Sequence, residues 1–258
     1  MTANKERVVN DNELNGHIVI CGWSETTKGL IEQIRADTAG RRRHIVLIDP
    51  NLDASPIDDP FLYFVKGDPT EYETLERAYV KSAETALILT DWSLPDPGLR
   101  DSKTALTTLA IESFAPQVYT VAELMRAESR RHLERAGVDE PICISEMSQR
   151  LLVHAAMNHG LSRFFTEVLS YGEGNEIYKV PLPSALINMN YREAVRLISD
   201  QCEAILLAIE REKEIYCNPL GDWELQENDA LFVLAEDYPH DLEQFGEKPS
   251  RDDGQTSS

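Results

Sequence analysis

The chain has 258 residues, 42% of them apolar and 27% charged, enough to bury a sizeable core in one large domain or in a large and a small one. Its formal net charge of −20 opposes binding to nucleic-acid phosphates and anionic membrane surfaces, and its dense basic runs are confined to Arg41–Arg43 and the stretch from Arg126 to Arg135. No stretch approaches the roughly 20 continuous apolar residues that span a bilayer, and no apolar run with a basic flank marks a secretory signal.

Residues 1–15 are polar and read as a loose lead-in. From Gly16 to Leu30 a short apolar run breaks into a turn at Gly22 and continues as a helix. A second strand, His44–Asp49, ends in a carboxylate. Strands are predicted at 17–21, 44–49, 61–65, 85–90, 117–122 and 141–144, and helices at 26–37, 70–80, 101–114 and 125–136. Strands alternating with helices of this length imply βαβ units and a doubly wound parallel sheet, a Rossmann-like α/β lobe over residues 16–144. Between the second and third strands, Pro56 and Pro60 predict an irregular crossover.

After Ser145 the pattern becomes helical. Met147, Leu151, Leu152, Ala155 and Ala156 share one apolar face. Asn158, His159 and Gly160 interrupt it, and Leu161, Phe164, Phe165, Val168 and Leu169 form a second face. Two amphipathic helices over 145–171, placed after a completed sheet, suit packing on a partner subunit as well as on their own domain. Residues 172–239 read as a small α+β module: strands at 177–182, 204–209, 214–217 and 230–234 and a helix at 192–199. The end, 240–258, is polar and reads as mostly disordered. Cys21, Cys143, Cys202 and Cys217 stand singly without a C-x-x-C, which implies reduced thiols in a cytoplasmic protein rather than disulfides or zinc.

Two clusters carry candidate chemistry. A backbone-lined turn at a helix N-terminus suits a phosphate, and an acid at the tip of the next strand suits ribose hydroxyls. Gly22, Trp23, Ser24 and Thr27 would face the phosphate, Asp49 the ribose, and Gly67 and Asp68 the far side of the cleft. Ser24 and Thr27 stand where the dinucleotide fingerprint has glycines, which suits a mononucleotide or an empty cleft better than an extended pyrophosphate. Trp23 could plug the cleft or stack on a base. At the same sheet rim, Asp91 and Glu123 end neighbouring strands, with Glu128 in the following helix, and could offer oxygen ligands to a divalent cation; a solvated acidic rim is the plain alternative. His154 and His159 flank the helix–helix turn as ordinary polar residues. No G-x-S-x-G, P-loop lysine or metal-binding His pair signals catalysis.

The set formed by His17–Thr26, Lys66–Thr70, Leu133–Gly137, Asn218–Pro219 with Asp222, and Asn228–Leu231 resembles an RCK domain (regulator of K+ conductance), in particular the gating-ring domain of calcium-gated prokaryotic potassium channels. The resemblance spans about residues 16–237. It implies a Rossmann-type lobe, a helical crossover at a dimer interface, and a C-terminal ligand-binding and dimerising lobe. It further implies assembly with itself into rings of four or eight, at the cytoplasmic face of the membrane, acting on a potassium channel pore or transporter subunit. The chain would then be either a separate cytoplasmic subunit or the cytoplasmic part of a channel. The implied effectors are Ca2+, at Asp91 and Glu123, and an adenine nucleotide or NAD(H) in the cleft. Where the family's cation sites carry further acids, this chain has Met125, Ser162, Lys179 and Asn218. Two other readings are a nicotinamide-dependent oxidoreductase with a degenerate fingerprint and a purely structural ring component.

Overall fold

The computed structural model describes residues 14–37, 40–169, 174–243 and 245. The chain falls into two compact units that divide between Ser162 and Arg163.

In the first unit, β1 (His17–Cys21), β2 (Ile45–Asp49), β3 (Leu62–Lys66), β4 (Ala83–Ile88), β5 (Tyr119–Leu124) and β6 (Glu140–Cys143) form one parallel sheet in the order β3-β2-β1-β4-β5-β6. The doubly wound reading of the sequence is therefore correct. Alternate residues of the central strands feed two cores. Val19, Val46 and Ile48 pack with Leu75, Ile111 and Leu133 on one face, and Ile20, Ile45 and Leu47 pack with Ile31 on the other. Helices supply those partners: α1 (Glu25–Ala36) to the second core, and α2 (Tyr72–Arg77), α3 (Pro97–Phe114) and α4 (Arg130–Ala136) to the first. Burial on both faces is why β1 and β2 read as continuous apolar runs rather than alternating ones.

The element boundaries differ from expectation where local chemistry intervenes. Helix α3 starts at Pro97, not 101, because Asp96 caps it by accepting from the N–H groups of Gly98 and Leu99. Pro97 then sits at the first helical position, where its missing N–H costs nothing. Helix α2 stops at Arg77, short of 80. Tyr79 turns left-handed (φ 52°), and a 3₁₀ turn, Val80–Ser82, leads into β4. Helix α4 is likewise shorter than 125–136, with a separate 3₁₀ turn at Ala127–Ser129 before it. The β2–β3 crossover is irregular, as its prolines require, and is tied down by Arg35, whose Nε donates to Asp59 at 2.6 Å and whose Nη1 donates to the Arg43 carbonyl at 2.8 Å. The expected loose lead-in ends earlier than 15: Leu14 is fully buried in the first core, while residues 1–13 lie outside the described residues.

Helices α5 (Ile144–Met157) and α6 (Leu161–Val168) follow, with Gly160 left-handed (φ 97°) in the turn between them. In the second unit, β7 (Glu176–Pro181), β8 (Ile205–Arg211), β9 (Glu214–Cys217) and β10 (Ala230–Ala235) form an antiparallel sheet in the order β7-β10-β8-β9. Helix α7 (Tyr191–Gln201) closes one face over a core that includes Val180, Leu186, Ile198, Ile209 and Val233. The tail is ordered further than expected: α8 (His240–Glu243) seats Leu242 in this core, and residues 246–258 lie outside the described residues. All four cysteines are free thiols, although Cys217 lies exposed on an edge strand rather than in a core.

One ion pair anchors the second unit. Asp229, 1% exposed, receives both Nε and Nη2 of Arg211 at 2.7 Å and the Gln226 N–H at 2.8 Å, while the guanidinium lies 4.1 Å from the Trp223 ring centroid. Burial alone would raise the Asp229 carboxyl, but the Arg211 and Gln226 donors outweigh it and hold the group below its ordinary 3.8. Its stabilisation is therefore present above pH 3.8 and is lost as pH falls through the folded value. Asp229→Ala leaves the half-buried Arg211 guanidinium without its carboxylate and the Gln226 N–H without its acceptor, and should cost about 2 kcal/mol, read as a lower denaturation midpoint of the C-terminal unit. An unchanged midpoint would mean the pair is energetically idle.

The first unit buries His17 at the start of β1, with Nε2 3.2 Å from the Ala78 carbonyl and Nδ1 without a partner. Desolvation holds this imidazole below its ordinary 6.5, against the pull of Ala78. The unfolded chain therefore binds the proton first as pH falls, and stability should decline from pH 6.5 down to the folded value. Replacing His17 by leucine should flatten that segment of the pH–stability curve, measured by urea denaturation.

Candidate functional site

Where strand order reverses between β1 and β4, the carboxyl ends of the strands open a cleft of about 250 Å³. Its walls combine Cys21, Gly22 and Trp23 from the end of β1 and the turn after it, Asp49 and Leu52 from the end of β2 and its loop, Leu89 to Trp92 beyond β4, and Lys103 and Thr104 from α3. The sequence-predicted residues Gly22, Trp23 and Asp49 thus meet in one place, and Asp91 joins them. Ser24, Thr27, Gly67 and Asp68 stand outside its lining.

Gly22 is left-handed (φ 100°), the conformation that lets the chain leave β1 and enter α1. The next residues then bond to one another. Trp23 N–H donates to Asp49 Oδ2 at 2.9 Å, and Ser24 N–H donates to Thr27 Oγ1 at 2.9 Å. Thr27 N–H donates to Ser24 Oγ at 3.3 Å, completing a capping box, and Thr27 Oγ1 donates back to the Gly22 carbonyl. The two hydroxyls expected to meet a phosphate cap the helix instead. The Trp23 side chain packs against the core beneath β1 and β2 while lining the cleft.

Asp49 is 5% exposed. Its Oδ1 accepts from the N–H groups of Asn51 at 2.8 Å and Leu52 at 3.1 Å, so together with Trp23 it holds three backbone donors. Gly67 serves packing: a Cβ there would come within 2.4 Å of Thr74 Oγ1. Asp68 binds Lys103 Nζ at 2.6 and 2.8 Å and accepts from the Thr70 N–H and hydroxyl. Burial pushes the Asp68 carboxyl up, and the Lys103 and Thr70 donors more than reverse that, leaving it below its ordinary 3.8. Burial and the nearby Asp68 charge push the Cys21 thiol up to about 12, so the cleft holds no thiolate at neutral pH. Lys103 and the buried Thr90 hydroxyl, which has no hydrogen-bond partner, are among the wall groups that sequence reading missed. Their only signal was position, Thr90 just beyond β4 and Lys103 nearly two turns into α3.

At the acidic rim, Glu123 Oε2 accepts the Thr90 N–H at 2.8 Å, which brings the end of β5 beside the residue preceding Asp91. Asp91 Oδ1 accepts from the Ser93 N–H and hydroxyl. The predicted pair is therefore close in the fold, yet one oxygen of each carboxylate is committed to the chain. Met125 brings only its backbone, whose N–H goes to the buried Asp101. Among the described residues, no group of three or more His, Cys, Asp or Glu side chains could hold a metal. At the other departures from the family pattern, Lys179 pairs with Glu210 at 2.8 Å, Asn218 turns left-handed before Pro219, and Ser162 is exposed.

The predicted interface residues lie along α5 and α6. Met147, Leu151, Leu152, Phe164 and Phe165 are exposed, and Leu161 and Val168 are half-buried; Val153 and Met157, not expected, add to the exposed apolar surface. Leu152 at 69% and Met157 at 77% are far outside the range of core side chains.

Residues 13–122 match the family model of the calcium-activated potassium channel slowpoke-like RCK domain, and residues 145–248 match the model of the Castor and Pollux part of voltage-gated ion channels. The calcium-gated potassium channel TvoK of Thermoplasma volcanium is 26% identical over 228 residues, 87% of this chain and 64% of that one. Potassium channel protein 1 of Methanocaldococcus jannaschii is 21% identical over 227 residues, 86% of this chain and again 64% of that one. The chain thus spans a little under two thirds of these relatives. The human SLO3 gating ring superposes with a TM-score of 0.69 at 20% identity, covering 86% of this chain and 44% of that one. The resemblance to RCK domains read from the sequence holds.

Asp49→Ala would leave three N–H donors at the cleft without their acceptor, at roughly 1–3 kcal/mol for each buried donor that water does not reach. The expected outcome is a lower thermal midpoint with no ligand present. An unchanged midpoint would return Asp49 to a purely ligand-binding role.

Proposed function

We propose that this RCK chain is a ligand-sensing, self-assembling regulatory domain of a potassium channel or potassium transporter. The observation that carries the reading is the pair of helices α5 and α6, whose apolar faces stay exposed although each unit has a complete core of its own. Large apolar side chains left in water on α5 in the first unit, and separately on α6 at the start of the second, mark each face as one that another subunit covers. Assembly as a dimer, and from dimers into a ring, accounts for that surface, and relatives that are potassium channels supply the pore the ring would act on. Among the described residues no helix is long and apolar enough to cross a membrane. We assign the pore to another segment or another subunit, with this domain at its cytoplasmic face.

The effector sites we assign are the cleft around Gly22, Trp23 and Asp49 and, for a divalent cation such as calcium, the rim at Asp91 and Glu123. The cleft geometry narrows the first of these below. A bound effector moves the gate only by its differential affinity for the two ring arrangements. We read the chain as non-catalytic. The Cys21 thiol is protonated at neutral pH, and Lys103 is tied to Asp68, so neither offers the cleft an activated nucleophile.

Truncating Phe164 and Phe165 together to alanine should weaken self-association by about 2 kcal/mol or more, roughly thirtyfold, while leaving the fold intact. Sedimentation equilibrium reads this directly. Equal association of variant and parent would remove the helix pair from the interface.

A further inference from the structure

The pyrophosphate of a dinucleotide, which a Rossmann-type lobe implies, does not fit this cleft. Such a lobe holds phosphate with free backbone N–H groups after β1 and the open N-terminus of α1. Here the N–H groups of Gly22, Trp23, Ser24 and Thr27 donate to the Ile48 carbonyl, Asp49, Thr27 and Ser24 in turn. Glu25 adds a carboxylate to the first turn of α1. Among the lining residues Lys103 is the one cation, and Asp68 neutralises it at 2.6 Å, while Asp49 and Asp91 contribute negative charge. A phosphate entering would find these four donors already used and the carboxylates of Asp49 and Asp91 in the lining, with the Arg100 guanidinium held over the Trp92 ring at 4.6 Å, outside the lining.

What remains is small, mixed and aromatic. A volume of about 250 Å³ falls below the usual range of roughly 300–1,000 Å³ for ligand pockets. The walls carry the indoles of Trp23 and Trp92, with Leu52, Ile88 and Leu89, and the polar groups of Asn51, Thr90 and Asp91. The Thr90 hydroxyl is buried in that wall without any partner, an unmet hydrogen-bonding group of the kind a ligand satisfies. We propose that this cleft takes a nucleoside-sized, phosphate-free heteroaromatic molecule and excludes phosphorylated nucleotides and pyrophosphate dinucleotides. The inference rests on reading the chain as a ligand sensor, and it assigns the chemical class of the effector.

Isothermal titration of the full chain with adenosine, AMP, ADP and NAD tests it, the four sharing a base while phosphate charge increases. The expected order is adenosine tightest, AMP at least tenfold weaker, and no heat from ADP or NAD. Thr90→Val should weaken adenosine several-fold, and Asp91→Asn should narrow the gap between adenosine and AMP. Binding of AMP, ADP or NAD as tight as adenosine overturns the proposal, as does an absence of adenosine heat. Adenosine binding unaltered in the Thr90 variant moves the ligand out of this cleft and overturns it too. The main series uses the parent protein, so no folding defect can mimic a negative result. Sedimentation reports assembly separately, so a failure here leaves the self-association result standing.

Discussion

The carboxylate of Asp49 closes the end of the first βαβ unit. Parallel strands leave their carboxyl ends open, and the loops that depart from them carry backbone N–H groups that need acceptors. Asp49 takes one N–H from the turn after β1 and two from the loop after β2, so both exits are set by one buried side chain. The exit of the chain from β1 and the first residues of the β2–β3 crossover are fixed by it, while Arg35 ties down the crossover further along. In a dinucleotide-binding lobe the equivalent acid is left for ribose. Here the chain itself consumes its acceptor capacity, which changes what the cleft can hold.

The same economy runs through the rest of the N-terminal unit. Ser24 and Thr27 cap each other, Asp68 holds Lys103, Glu123 holds the Thr90 amide, and Asp101 holds the amides of Met125 and Arg126. Side chains that could meet a charged ligand are mostly turned inward to satisfy the backbone. Such a lobe is preorganised at its strand ends and does not need a bound anion to complete its hydrogen bonding. On the proposed function, regulation would then come through modest differential contacts in the cleft or through self-association. The exposed faces of α5 and α6 fit the second route, since apolar area that lies in water in one chain stabilises whatever arrangement buries it.

The RCK resemblance was legible from short motifs because each has a physical duty that restricts sequence. Gly22 must be left-handed, Gly67 must let Thr74 approach, and Gly137 must end α4 at φ 97°. The two amphipathic helices were legible from the 3.6-residue spacing of Met147, Leu151 and Leu152, and again of Leu161, Phe164, Phe165 and Val168. The site was less so. Ser24 and Thr27 are the same residues whether they face a phosphate or each other, and Asp49 is the same residue whether it takes a ribose or three amides. Nothing in a linear pattern tells which partner is nearer. The early start of α3 was available in Asp96-Pro97, and the tryptophan and prolines around it hid the cap.

By itself, the sequence determined the alternation of strands and helices, the strand ends where chemistry can gather, the net acidity and the apolar faces of two helices. These follow from local periodicity and backbone restriction, which act over a few residues. Only the tertiary structure decided that those apolar faces stay exposed, that the N–H groups of Trp23, Ser24 and Thr27 are already used, that Lys103 is neutralised by Asp68, and that the Thr90 hydroxyl lacks a partner. Those outcomes depend on which side chains, 26 or 35 positions apart, arrive within 3 Å of one another. Hydrogen bonds and ion pairs are short-ranged and directional, so residue identity alone does not assign their partners.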